Sequence, residues 1–371
     1  MIVFYTSAHG FGHASRDLEV IDAICRHAPE SALTVRTSVP LWIIEASARR
    51  PIDVQPLHTD TGLAQVDSLT IDERETIRRA RRFHETFQFR VDAEADWLKR
   101  SGATLVVGDV PPLAFAAAHA AGLPSMALAN FTWDWVYAAI EDFAAQAPDV
   151  LGDIVEAYSS ATSALRLPLH GGFAPMTARV RDIPFVARHS THGRLGARHA
   201  LGLASDLPVV LASFGGHDLQ LPYQAVTTSG RFVLMLTTFE ADAAGLDPRA
   251  SGPHLRYVSQ RELADRRLRY EDLVAAADVV VSKPGYGIVS ECIANGAALL
   301  YTSRGRMVEY DVFVKEMPRL LRCRYIPREE LLAGDWTAAV EALLSQPSAP
   351  TVPMTNGADV AATFILRAAN A

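Results

Sequence analysis

Two glycine turns carry the residues of this chain best suited to chemistry. One is His9-Gly10-Phe11-Gly12-His13-Ala14-Ser15-Arg16, with two imidazoles four residues apart. The other is Lys283-Pro284-Gly285-Tyr286-Gly287-Ile288-Val289-Ser290-Glu291, with an ammonium at one end and a carboxylate at the other. Imidazole is the side chain whose ordinary pKa suits proton transfer near neutrality, so His9 and His13 are candidates for a catalytic or ligand role. A glycine turn that opens a helix suits phosphate: unpaired N–H groups and the positive end of the helix dipole point out of it, and no Cβ blocks the approach. Lys283, Gly285, Tyr286 and Gly287 are therefore candidates for a nucleotide diphosphate, with Glu291 facing the ribose side. Parallel-sheet proteins also use such turns without any ligand, so the argument rests on the two occurring together.

Each turn needs a strand to deliver it. Residues 2–6 are an apolar strand running into the first turn, and Leu18, Ile21, Cys25 and Ala28 keep helical spacing after it, with Val20 and Ile24 widening the apolar face. Residues 278–282 are a short apolar strand before the second turn, and 288–294 are the helix after it. Further strands are expected at 33–37, 104–108, 125–129 and 163–167, with a helix at 113–121. Residues 168–184 break the alternation with Leu-Pro, Gly-Gly, Ala-Pro and Ile-Pro signals and read as a connection. The alternation resumes with strands at 209–214, 232–237, 255–258, 279–282, 298–302 and 323–326, and 358–369 reads as a helix. The expected fold is α/β: two doubly wound, Rossmann-like domains facing one another across a cleft, with ligands at the C-terminal ends of the strands. The expected limits are 1–168 and 185–357, joined by 169–184, with a helix at 358–371 packing back on the first domain.

Composition narrows the class. The chain has 371 residues, 49% of them hydrophobic, enough for two cores. No apolar run reaches the length of a membrane span, and the first strand lies where a signal peptide's basic segment and apolar core would be, so the expected location is the cytoplasm. Cys25, Cys292 and Cys323 have no CxxC spacing, which suggests neither a disulfide framework nor a zinc site. A net charge of -7 argues against general nucleic-acid binding. The local exception is Arg74, Arg78, Arg79, Arg81 and Arg82, most of which fall opposite Ile77, Ala80, His84, Phe87 and Val91 in a helical pattern. It reads as a solvated outer face, with contact to an anionic acceptor or a membrane surface as the alternative.

Taken together, HGFGHASR at 9–16, DTGLAQVDSLTID at 60–72, GDVPPLA at 108–114, NFTWDWVY at 130–137, IPFVAR at 183–188, SFGGHD at 213–218 and SKPGYGIVSE at 282–291 resemble the glycosyltransferase-like, non-kinase half of plant L-arabinokinases. More distantly they resemble GT-B enzymes of the MurG and UDP-glucosyltransferase kinds. The phosphate loop of the kinase half is missing, as is a Walker GxxxxGK[ST], so sugar kinase activity is not implied. The resemblance implies that the second domain binds a nucleotide-sugar donor, UDP-linked, and the first a small-molecule acceptor. Arg188 and Lys283 then neutralise the diphosphate, with Gly215, Gly216, Gly285, Tyr286 and Gly287 supplying backbone donors and His217 near the phosphates or acceptor. Glu291 matches the ribose-binding acid, and Glu309 and Asp311 fall where such enzymes contact the donor sugar. Inverting members point to His13 as the base, with Asp109 orienting it and His9 as a rival. Gly12, Asn130, Trp133 and Asp134 are expected on the acceptor side. No metal and no cofactor beyond the nucleotide-sugar co-substrate is expected, helix dipoles and basic residues taking the metal's place.

Other functions share this architecture. A dinucleotide oxidoreductase is disfavoured because Ser15 stands where the third glycine of GxGxxG belongs and the second strand ends at Arg36-Thr37 without a ribose-binding acid. A nucleotide-sugar hydrolase or epimerase, and a non-catalytic nucleotide-sugar-binding protein, remain as alternatives to a transferase.

Overall fold

A computed structural model describes residues 1–203, 206–215, 219, 221–237 and 252–370. Strand β1 (Ile2–Thr6) is buried along its whole length, as a strand covered by helices on both faces must be. It is followed by β2 (Leu33–Thr37), β3 (Asp53–Pro56), β4 (Gln65–Asp67), β5 (Thr70–Ile71), β6 (Leu105–Asp109), β7 (Ser125–Ala129), β8 (Ser163–Arg166) and β9 (Val180–Asp182). The first sheet has the order β3-β2-β1-β6-β7-β8-β9 with every pair parallel. Its topological switch point lies between β1 and β6, which places the turn after β1 beside Asp109, the last residue of β6.

The second sheet is built from β10 (Val209–Ala212), β11 (Val233–Thr237), β12 (Leu255–Val258), β13 (Val279–Ser282), β14 (Ala298–Tyr301) and β15 (Cys323–Tyr325). Its order is β12-β11-β10-β13-β14-β15, again parallel throughout. Here the switch point lies between β10 and β13, so the turns after those strands share one sheet edge. The two-sheet α/β architecture read from the sequence is the one observed.

The strands that sequence reasoning did not find are polar or peripheral. β3 and β9 are the two edges of the first sheet, and neither has a fully buried residue. A half-exposed edge strand carries no apolar run to find. Residues 169–184, expected as a connection only, therefore include a 3₁₀ segment, Ala174–Arg179, and β9, which pairs with β8. The basic helix runs Glu73–His84, with Asp72 accepting from the Glu75 N–H as its cap, and a separate helix begins at Phe87. All five of its arginines are exposed, and Glu75 pairs with Arg78 and Arg79.

Two features cross between the sheets. Phe185 and Met354 share a backbone hydrogen bond, as do Gly357 and Phe185, so the chain's two passages run side by side. A Cβ on Gly357 would meet the Pro184 carbonyl oxygen at 2.2 Å, so only glycine permits this approach. The helix Gly357–Ala369 then packs on the first helix, Phe11–His27, with Arg26 paired to Asp359 at 2.9 Å. The second feature is the β4–β5 hairpin of the first domain. Its Leu69 is buried in the core of the second sheet, and Ser68 donates to the Phe214 carbonyl at 2.8 Å.

Candidate active site

A cleft of about 800 Å³ lies between the two switch points. His9, Gly12, His13, Asn130, Arg188, Gly215, Lys283, Gly285, Tyr286, Gly287, Glu291 and Glu309 all line it. The two glycine turns nearly touch: a Cβ on Gly287 would stand 3.5 Å from Gly12 Cα. On one side the helix begins at Phe11, with Gly10 at φ +75° making the left-handed turn into it, so His13 sits in the first helical turn. On the other, the helix Tyr286–Asn295 begins two residues earlier than its apolar pattern predicts, with Gly285 as its cap residue.

The first domain supplies a dyad. His13 Nδ1 lies 2.9 Å from Asp109 Oδ1. A carboxylate there holds the ring with its proton on Nδ1 and leaves Nε2 with a lone pair, the tautomer a base needs. The other imidazole differs. His9 Nδ1 accepts from the Leu63 N–H at 3.2 Å, which puts the ring proton on Nε2 and makes that atom a donor. Gly62, at φ +58°, shapes the loop that holds this ring, since a Cβ there would overlap it at 2.7 Å. Burial pushes the Asp109 carboxyl up, but Arg16 and His13 outweigh that and hold it at about 2. Asp109 itself is fully buried behind His13 and does not line the cleft.

The second domain supplies the cations. Burial, with Arg304 alongside, pulls the Lys283 ammonium down to about 7, against the opposing pull of Asp67. Arg304, on the loop after β14, donates to the Pro284 carbonyl at 3.2 Å and lies 3.5 Å from Glu309. Arg188, expected to meet the diphosphate, instead donates to Glu291 through Nε at 2.7 Å and lies 3.6 Å from Glu271. Two carboxylates neutralise it, and its place in the cleft is to hold Glu291. Burial raises the Glu291 carboxyl, which Arg188 partly offsets.

Several candidates fall elsewhere. Trp133 is buried outside the cleft, its indole N–H donating to Asp60 at 2.9 Å and its ring edge-on to His9. Asp134 is half-buried and does not line the cleft. Asp311 shares the first turn of the helix Val308–Leu320 with Glu309, which lines the cleft, but Asp311 is exposed to solvent and does not line it. Tyr286 contributes its backbone to the turn, while its hydroxyl accepts from the Val186 N–H at 2.9 Å. Gly216 and His217 lie outside the described residues. Sequence reasoning missed Arg304 and Arg16. For Arg304 a signal existed, a basic residue just beyond a strand at the same sheet edge as the second turn. Among the described residues no group of three or more His, Cys, Asp or Glu is placed to hold a metal ion. No helix among them is long and apolar enough to cross a membrane.

No family model matches the chain. It is 29% identical to L-arabinokinase of Arabidopsis thaliana over 356 residues, covering 93% of this chain and 32% of that protein. The chain thus spans about a third of the length of the curated relative it matches. Among solved structures it is similar to the glycotransferase of kitacinnamycin, with a TM-score of 0.61 and 17% identity over 100% of this chain and 97% of that one. It is similar to UGT89C1 of Arabidopsis thaliana complexed with UDP, at TM-score 0.56 and 13% identity, covering 98% and 94% of the two chains. A putative UDP-N-acetylglucosamine 2-epimerase from Listeria monocytogenes gives TM-score 0.55 and 11% identity over 98% and 94%. The fold is GT-B, two Rossmann-like domains about a cleft.

Proposed function

We propose that this chain is an inverting, metal-independent glycosyltransferase that moves a sugar from a UDP-sugar to a hydroxyl of a small-molecule acceptor. The observation that carries the reading is the His13–Asp109 dyad opening onto a cleft whose far wall holds Lys283, Arg304 and a helix N-terminus. The acceptor O–H gives its proton to His13 Nε2 as its oxygen attacks the anomeric carbon. The bond from that carbon to the diphosphate breaks, and the electron pair leaves with the diphosphate. Lys283, Arg304 and the N–H groups at the start of Tyr286–Asn295 carry the charge that develops there, and Asp109 carries the imidazolium. One displacement from the opposite face inverts the centre. The similarity to a UDP-complexed protein favours uridine. The similarity to a putative epimerase keeps open a second reading, in which the same histidine acts on water or on the sugar.

Glu291 is assigned to the ribose. Glu291→Gln keeps the side-chain shape and leaves Arg188 beside Glu271, so the fold is expected to persist. Loss of a charge-assisted pair to ribose hydroxyls is expected to cost about 1.5–3 kcal/mol of nucleotide binding, roughly 10- to 100-fold. Calorimetry that finds unchanged affinity for every nucleotide bound by the wild type would remove Glu291 from the site.

Turnover is expected to survive exhaustive EDTA treatment, because two cations and a helix terminus already face the leaving group. Activity lost on chelation and restored by magnesium or manganese would contradict this.

A further inference from the structure

We propose that Arg16 is a positioning residue: it fixes Asp109 against His13 and, through Asn130, registers the base against Glu309 of the donor-side domain. The proposal rests on the reading of His13 as the base. Arg16 lies three residues after His13 on one helix and so shares its face. Its Nε donates to Asp109 Oδ2 at 2.5 Å, its Nη2 donates to Asp109 Oδ1, and its Nη1 donates to Asn130 Oδ1 at 2.7 Å. The Asn130 amide nitrogen donates to Glu309 Oε1 at 2.8 Å. All four side chains are buried. A fork bonded on both sides of a carboxylate is held far more rigidly than a point charge would be.

The chain of bonds has one direction only. Arginine has no acceptor, so the Asn130 oxygen must face it, and the Asn130 nitrogen must then face the Glu309 carboxylate. Turning the amide over would set N–H against N–H at one end and oxygen against oxygen at the other. The base, from the first domain, and the start of Val308–Leu320, from the second, are therefore in fixed register through four hydrogen-bonded contacts, His13–Asp109, Asp109–Arg16, Arg16–Asn130 and Asn130–Glu309.

Arg16 also divides the charge of Asp109. The carboxylate that must balance a protonated His13 already serves a permanent cation, whose Nη2 lies 3.0 Å from His13 Nδ1. The other charged or titratable groups near the dyad are Asp17 on the same helix, Asp60 before β4, and Tyr286 and Glu309 from the second domain. Burial pushes the Asp17 and Asp60 carboxyls up, away from the charged form. Arg16 is thus a permanent like charge in direct contact with the ring that must hold the proton.

The test follows the His13 ring resonances by NMR across pH in the protein without substrate, alongside kcat and KM of the variants. In Arg16→Met the pH at which His13 protonates is expected to rise by about one unit, because a neighbouring cation is gone and Asp109 serves the ring alone. Arg16→Lys, which keeps the charge and loses the fork, is expected to hold that midpoint near the wild-type value while kcat falls about tenfold or more. Should Arg16→Met fail to fold, Asn130→Ala leaves the Arg16–Asp109 pair intact, and it is expected to lower kcat about tenfold with donor KM unchanged. An unmoved His13 midpoint in folded Arg16→Met, or wild-type kcat in Asn130→Ala, overturns the proposal. The NMR arm needs no turnover, so it reads the role of Arg16 even if no acceptor is ever found and the transferase reading fails.

Discussion

His13→Ala is expected to lower turnover by about 10²–10⁴-fold while nucleotide-sugar affinity stays near the wild-type value. The two effects separate because the imidazole and the residues proposed to hold the donor come from different domains: the ring stands on Phe11–His27, while Lys283, Arg304 and Glu291 line the cleft from the second domain. Assays with and without acceptor then distinguish the reaction classes. A transferase releases nucleotide slowly alone and much faster when an acceptor of the right shape is added. A hydrolase releases nucleotide and free sugar at full rate in water, and a binding protein releases neither. Full acceptor-independent turnover, with free sugar as the sugar product, would sink the transferase reading and leave His13 activating water. Tight binding without any release would assign the cleft to sensing.

Asp109→Ala is expected to be as damaging and to reach further, because it removes the buried counter-charge of Arg16 as well as the partner of His13. Leaving a buried guanidinium without its carboxylate costs about 3–5 kcal/mol. Turnover and thermal stability should therefore fall together, unlike His13→Ala, where turnover alone falls. The wild-type pair has a pH signature. Arg16 and His13 hold the Asp109 carboxyl at about 2, below the ordinary value of 3.8. A carboxyl depressed in the folded state contributes stability that is complete above its unfolded value and is lost as pH falls through the folded one. The Asp109 contribution should accordingly persist at pH 5 and disappear between about pH 4 and pH 2. Denaturant unfolding of Asp109→Asn across that window should show a shallower acid limb than the wild type. Parallel acid limbs in the two proteins would show that Asp109 does not carry this charge.

Much of this was legible in the sequence because the central strands are buried on both faces. Residues 2–6 and 279–282 are buried without interruption and apolar up to Thr6 and Ser282, and such strands point their C-terminal turns at the cleft. The glycine turns followed from residue type alone. What could not be read were contacts made across long stretches of chain. The Arg16–Asp109 pair spans 93 residues and the Asn130–Glu309 bond 179, and nothing local in either neighbourhood announces the partner. For the same reason Arg188 read as a phosphate ligand: the sequence shows a cation at the right place, while only folding brings Glu291 and Glu271 to neutralise it. Trp133 read as an acceptor contact because it follows a central strand, and it turns instead into the core to meet Asp60.

The helix Gly357–Ala369 gives the first domain an unusual dependence during synthesis. A ribosome delivers residues 1–182 as a nearly finished sheet, yet the helix that packs on Phe11–His27 is encoded more than one whole domain later. Until Ala361, Ala362 and Ile365 arrive, part of the apolar face of the first helix has no cover. N-terminal domains that fold as units can close early on the ribosome. This one must wait, with a sticky surface that a chaperone or an aggregation partner can reach, until the second domain has also emerged and led the chain back.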